Sequence, residues 1–400
     1  MRILFLTTQL PYPPVSGGVI KSWRLVEHWS KSPDVDLKLV YFLKGKDAEN
    51  VEAFRAAAGP MEVFGKALER PRSAGTLLAS YFKAPTLNVY RNADREVAEK
   101  VREWSEESDI IFVDHYEMGQ YVPKRTRAKV ILHEHNAEYV MWDRLADIET
   151  NPIKKWAVRM EARRIRKAEL AYARRADLVW AAPNDIVELV KIGVDESKCQ
   201  ETYHLGEDFM LDRPDLNFES TEKALLFIGT LTWEANIDGL LWFFDHVWPR
   251  LKAVHEDLKF HIVGKNPDPR LIEKTRGEEG ITFAGFIEDL EPWYVRSRVF
   301  VIPLRFGSGI KVKLLNAFYR GIPVVTTPIG TEGLDVTHGE ELFSSHDPDT
   351  QVKSILTLLE DQTVWSSMRM KSRDKGRQYT WKNLLARHDD SLNKLFHERH

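Results

Sequence analysis

The feature that most constrains the fold is a short apolar strand followed by a glycine-containing turn and a helix, because this pattern occurs twice. The first copy is Ile3–Leu6, followed by Gly17 and Gly18, and the second is Ala224–Ile228, followed by Gly229. A continuous apolar run before a glycine turn and a helix is typical of a buried parallel strand in a βα unit. Each half of the chain is therefore expected to build its own parallel sheet.

Further strands alternate with helices in both halves. We predict them at Leu37–Phe42, Ile110–Val113, Val130–His133, Leu178–Ala181, Lys259–Val263, Ile281–Ala284, Val299–Pro303 and Pro323–Thr326. This alternation predicts an α/β protein with two tandem, Rossmann-like, doubly wound domains that face each other across a cleft. The length of 400 residues suits two domains. We place them at 1–205 and 206–380, with a polar linker at 206–222.

The composition excludes several classes of protein. Hydrophobic residues make up 43% and charged residues 29%, with a net charge of −3, so nothing indicates nucleic acid as a partner. The single cysteine, Cys199, permits neither an intrachain disulfide nor a cysteine metal cluster. Apolar runs fall short of the about 18 residues that span a bilayer, and Thr7–Gln9 interrupt the N-terminal run too soon for a signal peptide. We expect a cytoplasmic protein that touches a membrane at most peripherally, at its inner face.

The strongest local signal runs from Pro303 to Gly333, where a strand, a glycine-rich turn and a helix starting near Ile310 or Lys311 follow one another. Gly307 and Gly309 allow the backbone to come close to an anion, and a helix N-terminus offers free N–H donors. Positive charge is added by Arg305, Lys311 and Lys313. The pattern indicates a diphosphate site, although turn glycines and solvated lysines would produce it equally well.

This stretch resembles the donor-site signature of GT-B-fold, family 4 glycosyltransferases, which are retaining enzymes that use activated sugars. The resemblance continues upstream through Phe227–Asp238, Ile262–Leu271 and Phe283–Ile287, and it covers residues 224–361 in order. In the first half it is carried by the Pro-Pro…Gly-Gly opening and by His133–Glu138. It implies a nucleotide-sugar donor domain at 206–380, an acceptor-side domain at 1–205, and a C-terminal helix, about 381–400, that packs back on the acceptor-side domain.

The resemblance also implies roles for individual residues. His135 would contact the transferred sugar, while Arg305 and Lys311 would neutralise the diphosphate in place of a divalent metal, so neither a metal nor another cofactor is expected. Gly17 and Gly18 would line the cleft beneath the phosphates. The full set of donor-binding positions is Gly17, Gly18, Gly229, Thr230, Phe286, Ile287, Gly307, Ser308, Gly309, Ile310 and Asn316.

Two positions depart from the family pattern. Asn316 occupies the place of a glutamate that grips the donor ribose, so a weaker ribose contact is expected. The segment Thr230–Asn236 has no basic residue, whereas the family often carries an arginine and a lysine after the first C-terminal strand. The second departure resembles a subgroup with a Trp-x-x-Asn loop.

His135 admits three interpretations. His133 and His135 project to the same side of a strand, and a His-x-His pair can bind a metal, but no third ligand is evident nearby in the sequence. A structural histidine that caps the strand and a histidine that contacts the sugar are the alternatives. The resemblance favours the sugar contact.

The function predicted from these features is glycosyl transfer from a nucleoside diphosphate sugar to an acceptor hydroxyl, in the synthesis of a cell-surface polysaccharide or glycolipid. A nucleotide-sugar epimerase and a non-catalytic sugar-nucleotide-binding subunit remain alternatives. The expected acceptor is a glycan or a lipid-linked sugar.

A basic run at 154–175 carries nine positive charges against Glu161 and Glu169. It is compatible with an amphipathic helix on an anionic membrane or with an exposed, charged helix face.

Overall fold

The computed structural model describes residues 1–14, 17–71, 73–307 and 309–397. The chain forms two compact units. The first comprises residues 1–204 together with 384–400, and the second comprises residues 205–383. We call them the N-terminal and the C-terminal domain.

The N-terminal domain contains a seven-stranded parallel sheet in the order β3-β2-β1-β4-β5-β6-β7. Its strands are β1 Arg2–Leu6, β2 Asp36–Leu43, β3 Glu62–Ala67, β4 Ile110–Asp114, β5 Lys129–His133, β6 Leu178–Ala181 and β7 Cys199–Glu201. Its helices are α1 Gly17–Ser30, α2 Val51–Ala58, α3 Ala74–Lys83, α4 Leu87–Arg91, α5 Arg95–Glu107, α6 Glu138–Ile148, α7 Pro152–Arg175 and α8 Pro183–Lys191.

The C-terminal domain contains a six-stranded parallel sheet in the order β10-β9-β8-β11-β12-β13. Its strands are β8 Ala224–Ile228, β9 Lys259–Val263, β10 Ile281–Gly285, β11 Val299–Ile302, β12 Val324–Thr326 and β13 Phe343–Ser344. The remaining helices are α9 Glu234–His246, α10 Trp248–Val254, α11 Pro269–Lys274, α12 Glu291–Arg296, α13 Val312–Arg320, α14 Pro348–Glu360, α15 Gln362–Gly376 and α16 Trp381–His397. The predicted fold class, two doubly wound parallel α/β domains, is confirmed.

The buried strands explain why the sequence shows continuous apolar runs. In β1, Leu4 and Leu6 pack into the core on one face of the sheet, whereas Ile3 and Phe5 pack into the core on the other. Both faces are covered by helices, so successive residues must all be apolar. Leu392 and Leu395 of α16 lie in the same core as Ile3 and Phe5.

The strands that the sequence did not reveal are β3, β7 and β13, which lie at sheet edges. Strand β3 is half-exposed along its length, and β7 and β13 contain three and two residues. The apolar runs that mark buried strands are therefore absent from them.

The segment 206–222, which we predicted to be a linker, is instead fastened to the C-terminal domain. The buried side chains of Arg298, Arg320 and Arg373 donate hydrogen bonds to its backbone carbonyls, including those of Phe218 and Pro214. Polar composition suggested a loose connection, but several backbone carbonyls of this segment accept hydrogen bonds from buried arginines. Within the described part of the chain, no helix is long and apolar enough to cross a membrane.

Candidate functional site

The carboxyl ends of β1, β4 and β5 carry a buried polar cluster around Asp114, the last residue of β4. One carboxylate oxygen, Oδ2, accepts hydrogen bonds from Thr7 Oγ1 at 2.9 Å and from Ser22 Oγ at 2.6 Å. The other, Oδ1, lies 2.8 Å from His133 Nδ1 and 2.7 Å from His135 Nε2. The sheet order reverses between β1 and β4, and ligands of doubly wound domains bind at such a switch point.

The charges within this cluster are unequal. Burial disfavours the ionised carboxylate, but the neighbouring histidines and their hydrogen bonds hold the pKa of Asp114 well below its usual range. Burial lowers the pKa of His133 to about 3 and lowers that of His135 well below its usual range. The cluster is therefore an anionic carboxylate with two neutral imidazoles that each donate one N–H bond to it.

This bond sets the tautomer of His135. Because Nε2 carries the proton that is donated to Asp114, Nδ1 bears the lone pair, and Nδ1 is buried without a hydrogen-bond partner among the described residues. A Cβ atom on Gly18 would lie 3.3 Å from Nδ1, so the first turn of α1 runs directly beside it. The predicted residues Gly18 and His135 thus meet at one end of the N-terminal sheet, and Gly17 is the first residue of α1.

A metal-binding set was not evident from the sequence, but Asp114, His115 and His135 each place one ligand atom within 4.8 Å of the others. Asp114 ends the apolar strand β4 and His115 directly follows it, which is the signal that could have identified them. The rings of His115 and His135 stack with centroids 3.8 Å apart and planes inclined by 17°. The in-plane lone pairs of stacked rings do not converge on one point, so the observed arrangement fits a hydrogen-bonded cluster better than a metal centre.

Lys21 of α1 is a functional candidate that the sequence analysis missed. Its ammonium group is fully buried and has no hydrogen-bond partner among the described residues. Burial lowers its pKa to about 7, although Asp114 and Asp185 oppose this shift. Lys21 shares its helix face with the buried Leu25 and Trp29, four and eight residues later, and this spacing could have revealed its burial.

Replacing Asp114 with asparagine should reduce the free energy of unfolding by about 1.5 kcal/mol at neutral pH, because the hydrogen bonds to an ionised acceptor weaken. The folded-state pKa of Asp114 lies below its unfolded value of about 3.9, so its contribution is present above that pH and is lost as the pH falls towards the folded-state pKa. Urea unfolding of both proteins between pH 3 and pH 7 measures the difference. A gap that does not shrink in acid would contradict this account.

In the C-terminal domain, the loop after β11 forms the predicted glycine turn. Gly307 and Gly309 have φ angles of 136° and 74°, a region that side chains disfavour. Helix α13 begins at Val312, slightly later than predicted, with Lys311 at its N-cap position. The buried ammonium of Lys311 donates to the carbonyl of Gly309 at 2.5 Å. Ser308 lies outside the described residues, and Ile310 packs beside Gly333.

The side chain of Lys313 reaches the turn after β8, a turn that contains no basic residue of its own. Its Nζ donates to Asn236 Oδ1 at 2.8 Å, and the amide of Asn236 donates to the carbonyl of Thr230 at 2.8 Å. A Cβ atom on Gly229 would lie 2.6 Å from this Nζ. Burial, together with the charge of Lys311, lowers the pKa of Lys313 to about 7. The amino group of Lys313 thus lies beside a turn whose own segment, Thr230–Asn236, contains no basic residue.

The other predicted donor residues occupy different surroundings. Arg305 forms a two-bond ion pair with Asp238, with Nε 2.8 Å from Oδ2, so its charge is shared with a carboxylate. Phe286 is 73% exposed and, with Ile287, follows β10. Asn316 accepts a hydrogen bond from the backbone N–H of Glu207 at 2.9 Å through its amide oxygen.

Replacing Asn316 with glutamate should tighten a ribonucleoside diphosphate by about 1 kcal/mol, because an ionised acceptor holds ribose hydroxyls more strongly than an amide does. Calorimetric titration measures this change. The matched control is Asn316→Gln, which has the same length as glutamate but no charge. Equal affinities of the two variants would contradict a ribose contact. The role of Asn316 would then be its hydrogen bond with the backbone N–H of Glu207.

Comparison with known proteins finds a family to which part of the C-terminal domain is similar. Residues 222–361 match the family model described as glycosyl transferases group 1. The chain is 30% identical over 156 residues to the "Uncharacterized 44.6 kDa protein in cps region" of Klebsiella pneumoniae, covering 37% of this chain and 39% of that protein. It is 26% identical over 167 residues to the O-antigen chain mannosyltransferase B of Escherichia coli, covering 40% and 42%. The chain thus spans about two fifths of the length of the relatives it matches.

Solved structures resemble the whole chain. The structure of Anabaena Alr3699/HepE in complex with UDP and glucose has a TM-score of 0.63 at 15% identity, and the match covers 98% of this chain and 99% of that one. At this identity the likeness shows the fold alone. The family match thus shows a likeness of residues 222–361 to glycosyl transferases group 1, and the solved structures show the fold.

Proposed function

We propose that this protein is a retaining, family 4-like glycosyltransferase that moves a sugar from a nucleoside diphosphate sugar to an acceptor hydroxyl. The observation that carries the proposal is a pair of lysines, the buried Lys311 and the partly buried Lys313, which lie beside glycine turns in the domain whose residues 222–361 match group 1 glycosyl transferases. Cations and close backbone approach at the carboxyl ends of β8 and β11 suit a diphosphate. The proposed donor positions, Gly229, Thr230, Phe286, Ile287, Gly307, Ser308, Gly309, Ile310 and Asn316, belong to this domain.

Negative charge develops on the leaving diphosphate during transfer, so groups placed in advance to receive it supply the stabilisation. In the proposed mechanism these groups are Lys311, Arg305 and the N–H donors at the start of α13, and no divalent metal takes part. Arg305 would divide its interactions between the donor and Asp238. His135 would contact the transferred sugar through Nδ1, the atom that Asp114 leaves with a lone pair.

The setting of the reaction is also a proposal. The names of the two relatives, a protein of a cps region and an O-antigen chain mannosyltransferase, support a role in cell-surface polysaccharide synthesis. The structure of Alr3699/HepE with UDP and glucose makes UDP a sensible first nucleotide to test. The proposed acceptor is a glycan or a lipid-linked sugar, reached at the cytoplasmic side of a membrane with help from residues 154–175.

A thermal-shift screen of nucleoside diphosphates is the first test, since a ligand that binds only the folded state raises the melting temperature. The expected result is a shift with at least one of UDP, GDP and dTDP in buffer that contains EDTA. No shift with any of them would overturn the donor site.

Product analysis then separates the alternatives. With donor alone, an epimerase releases an isomerised or hydrolysed sugar, whereas a transferase forms its main product only when an acceptor is added. A non-catalytic subunit would bind the nucleotide and yield no product under either condition.

A further inference from the structure

An apolar and basic surface on the N-terminal domain lies outside the site described above. It is formed by two helices, α3 and the part of α7 from Pro152 to Lys167, and we call it the α3–α7 surface. Large apolar side chains here face solvent: Leu78, Tyr81 and Phe82 from α3 and Ile153 and Trp156 from α7. Phe82 is 83% exposed, Ile153 78% and Trp156 65%. Apolar groups that are exposed together mark an interaction site.

One arginine joins the two helices into a single surface. The guanidinium of Arg164 lies 4.0 Å from the ring centre of Tyr81 and donates to the carbonyls of Ser80 at 2.9 Å and Ala84 at 3.0 Å. Ile153, Trp156 and Arg164 share one face of α7, because they follow a spacing of three and eight residues. The exposed apolar side chains of α7 therefore lie on the same face of this helix as Arg164, which contacts α3.

The two helices of this surface expose charge of one sign, while the exposed Asp147 of the neighbouring α6 pairs with Arg159 of α7. Helix α3 has no acidic residue, and the two of α7, Glu161 and Glu169, are buried and accept hydrogen bonds from protein groups. Basic residues border the apolar stripe and remain exposed: Lys83, Lys154, Arg163 and Lys167. Two other arginines of the basic run form hydrogen bonds within the protein. Arg164 donates to the carbonyl of Ser80 in α3, and Arg175 donates to the carbonyl of Val122.

We propose that the α3–α7 surface docks the protein on an anionic lipid bilayer, with Phe82, Ile153 and Trp156 entering the interfacial region and the basic residues facing the headgroups. Aromatic and aliphatic side chains surrounded by lysine and arginine, on helices whose own acidic residues are buried, match the interface of an anionic membrane. This differs from contact through the basic run at 154–175 alone, because α3 supplies three of the five exposed apolar side chains.

Flotation of the full-length protein with vesicles tests the proposal. With vesicles of about 30 mol% phosphatidylglycerol in phosphatidylcholine, wild type should float with the lipid, and raised salt should reduce the bound fraction. Phe82→Glu and Trp156→Glu should each lower the partition coefficient at least about tenfold, through lost apolar contact and added negative charge. Lys154→Ser should lower it by roughly fivefold, as expected for one charge near the surface.

The matched control is Val254→Glu, which places the same new charge on an exposed valine of the C-terminal domain. Its partition should equal that of wild type. Equal binding of all variants, equal binding to pure phosphatidylcholine vesicles, or no binding by wild type would each overturn the proposal. A dimer in sedimentation that Trp156→Glu dissolves would instead assign the surface to a second copy of the chain. Nucleotide binding is measured separately, so this outcome is independent of the donor site.

Discussion

His135→Ala should lower the rate of sugar transfer by about 100-fold or more while leaving the affinity for the nucleoside diphosphate close to that of wild type. Loss of one positioned polar contact in a transition state costs this much, and His135 is proposed to touch the sugar rather than the nucleotide. Steady-state kinetics and calorimetric titration of the same preparations measure the two quantities. Turnover within about twofold of wild type would favour a structural histidine.

Two further variants identify the ring atom that acts. The amide of His135→Asn lies near the position of Nδ1, whereas that of His135→Gln lies near Nε2 and can still donate to Asp114. A sugar contact through Nδ1 predicts that the asparagine variant retains more activity than the glutamine variant. A purely structural role, which depends on the bond to Asp114, predicts the reverse order.

Lys311→Ala should weaken nucleoside diphosphate binding by about 1.5–3 kcal/mol, the scale of a charge-assisted hydrogen bond, which is roughly 10- to 150-fold in affinity. The ammonium of Lys311 is buried at the N-cap of α13, so a bound diphosphate would receive it with little competition from water. Titration with the diphosphate that gives the largest thermal shift measures the change. Affinity and activity should persist in EDTA.

The control for Lys311 is Lys353→Ala, which removes an exposed lysine from α14 of the same domain and should leave affinity unchanged. Unchanged affinity of Lys311→Ala would contradict the proposed role of this lysine. Activity that EDTA abolishes and a divalent metal restores would contradict the metal-independent mechanism.

The sequence by itself determined the fold class and the position of the glycine turn. Strands such as Ala224–Ile228 and Val299–Ile302 are buried on both faces, so their apolar runs are continuous and visible in one dimension. The turn could be identified from Gly307 and Gly309, because a chain that needs positive φ angles there strongly favours glycine over other residues. Edge strands β3, β7 and β13 were missed because half-exposed or very short strands carry no such pattern.

Only the tertiary structure decided which polar groups meet. Asp114 ends β4, and His135 follows the neighbouring strand β5. The order of strands in a parallel sheet cannot be deduced from the local periodicity of the sequence. The same holds for Lys313, which reaches the turn after β8 from a helix far along the chain. Burial is a property of the packed domain, so it alone revealed that these groups have displaced pKa values and that Phe82 and Trp156 face solvent.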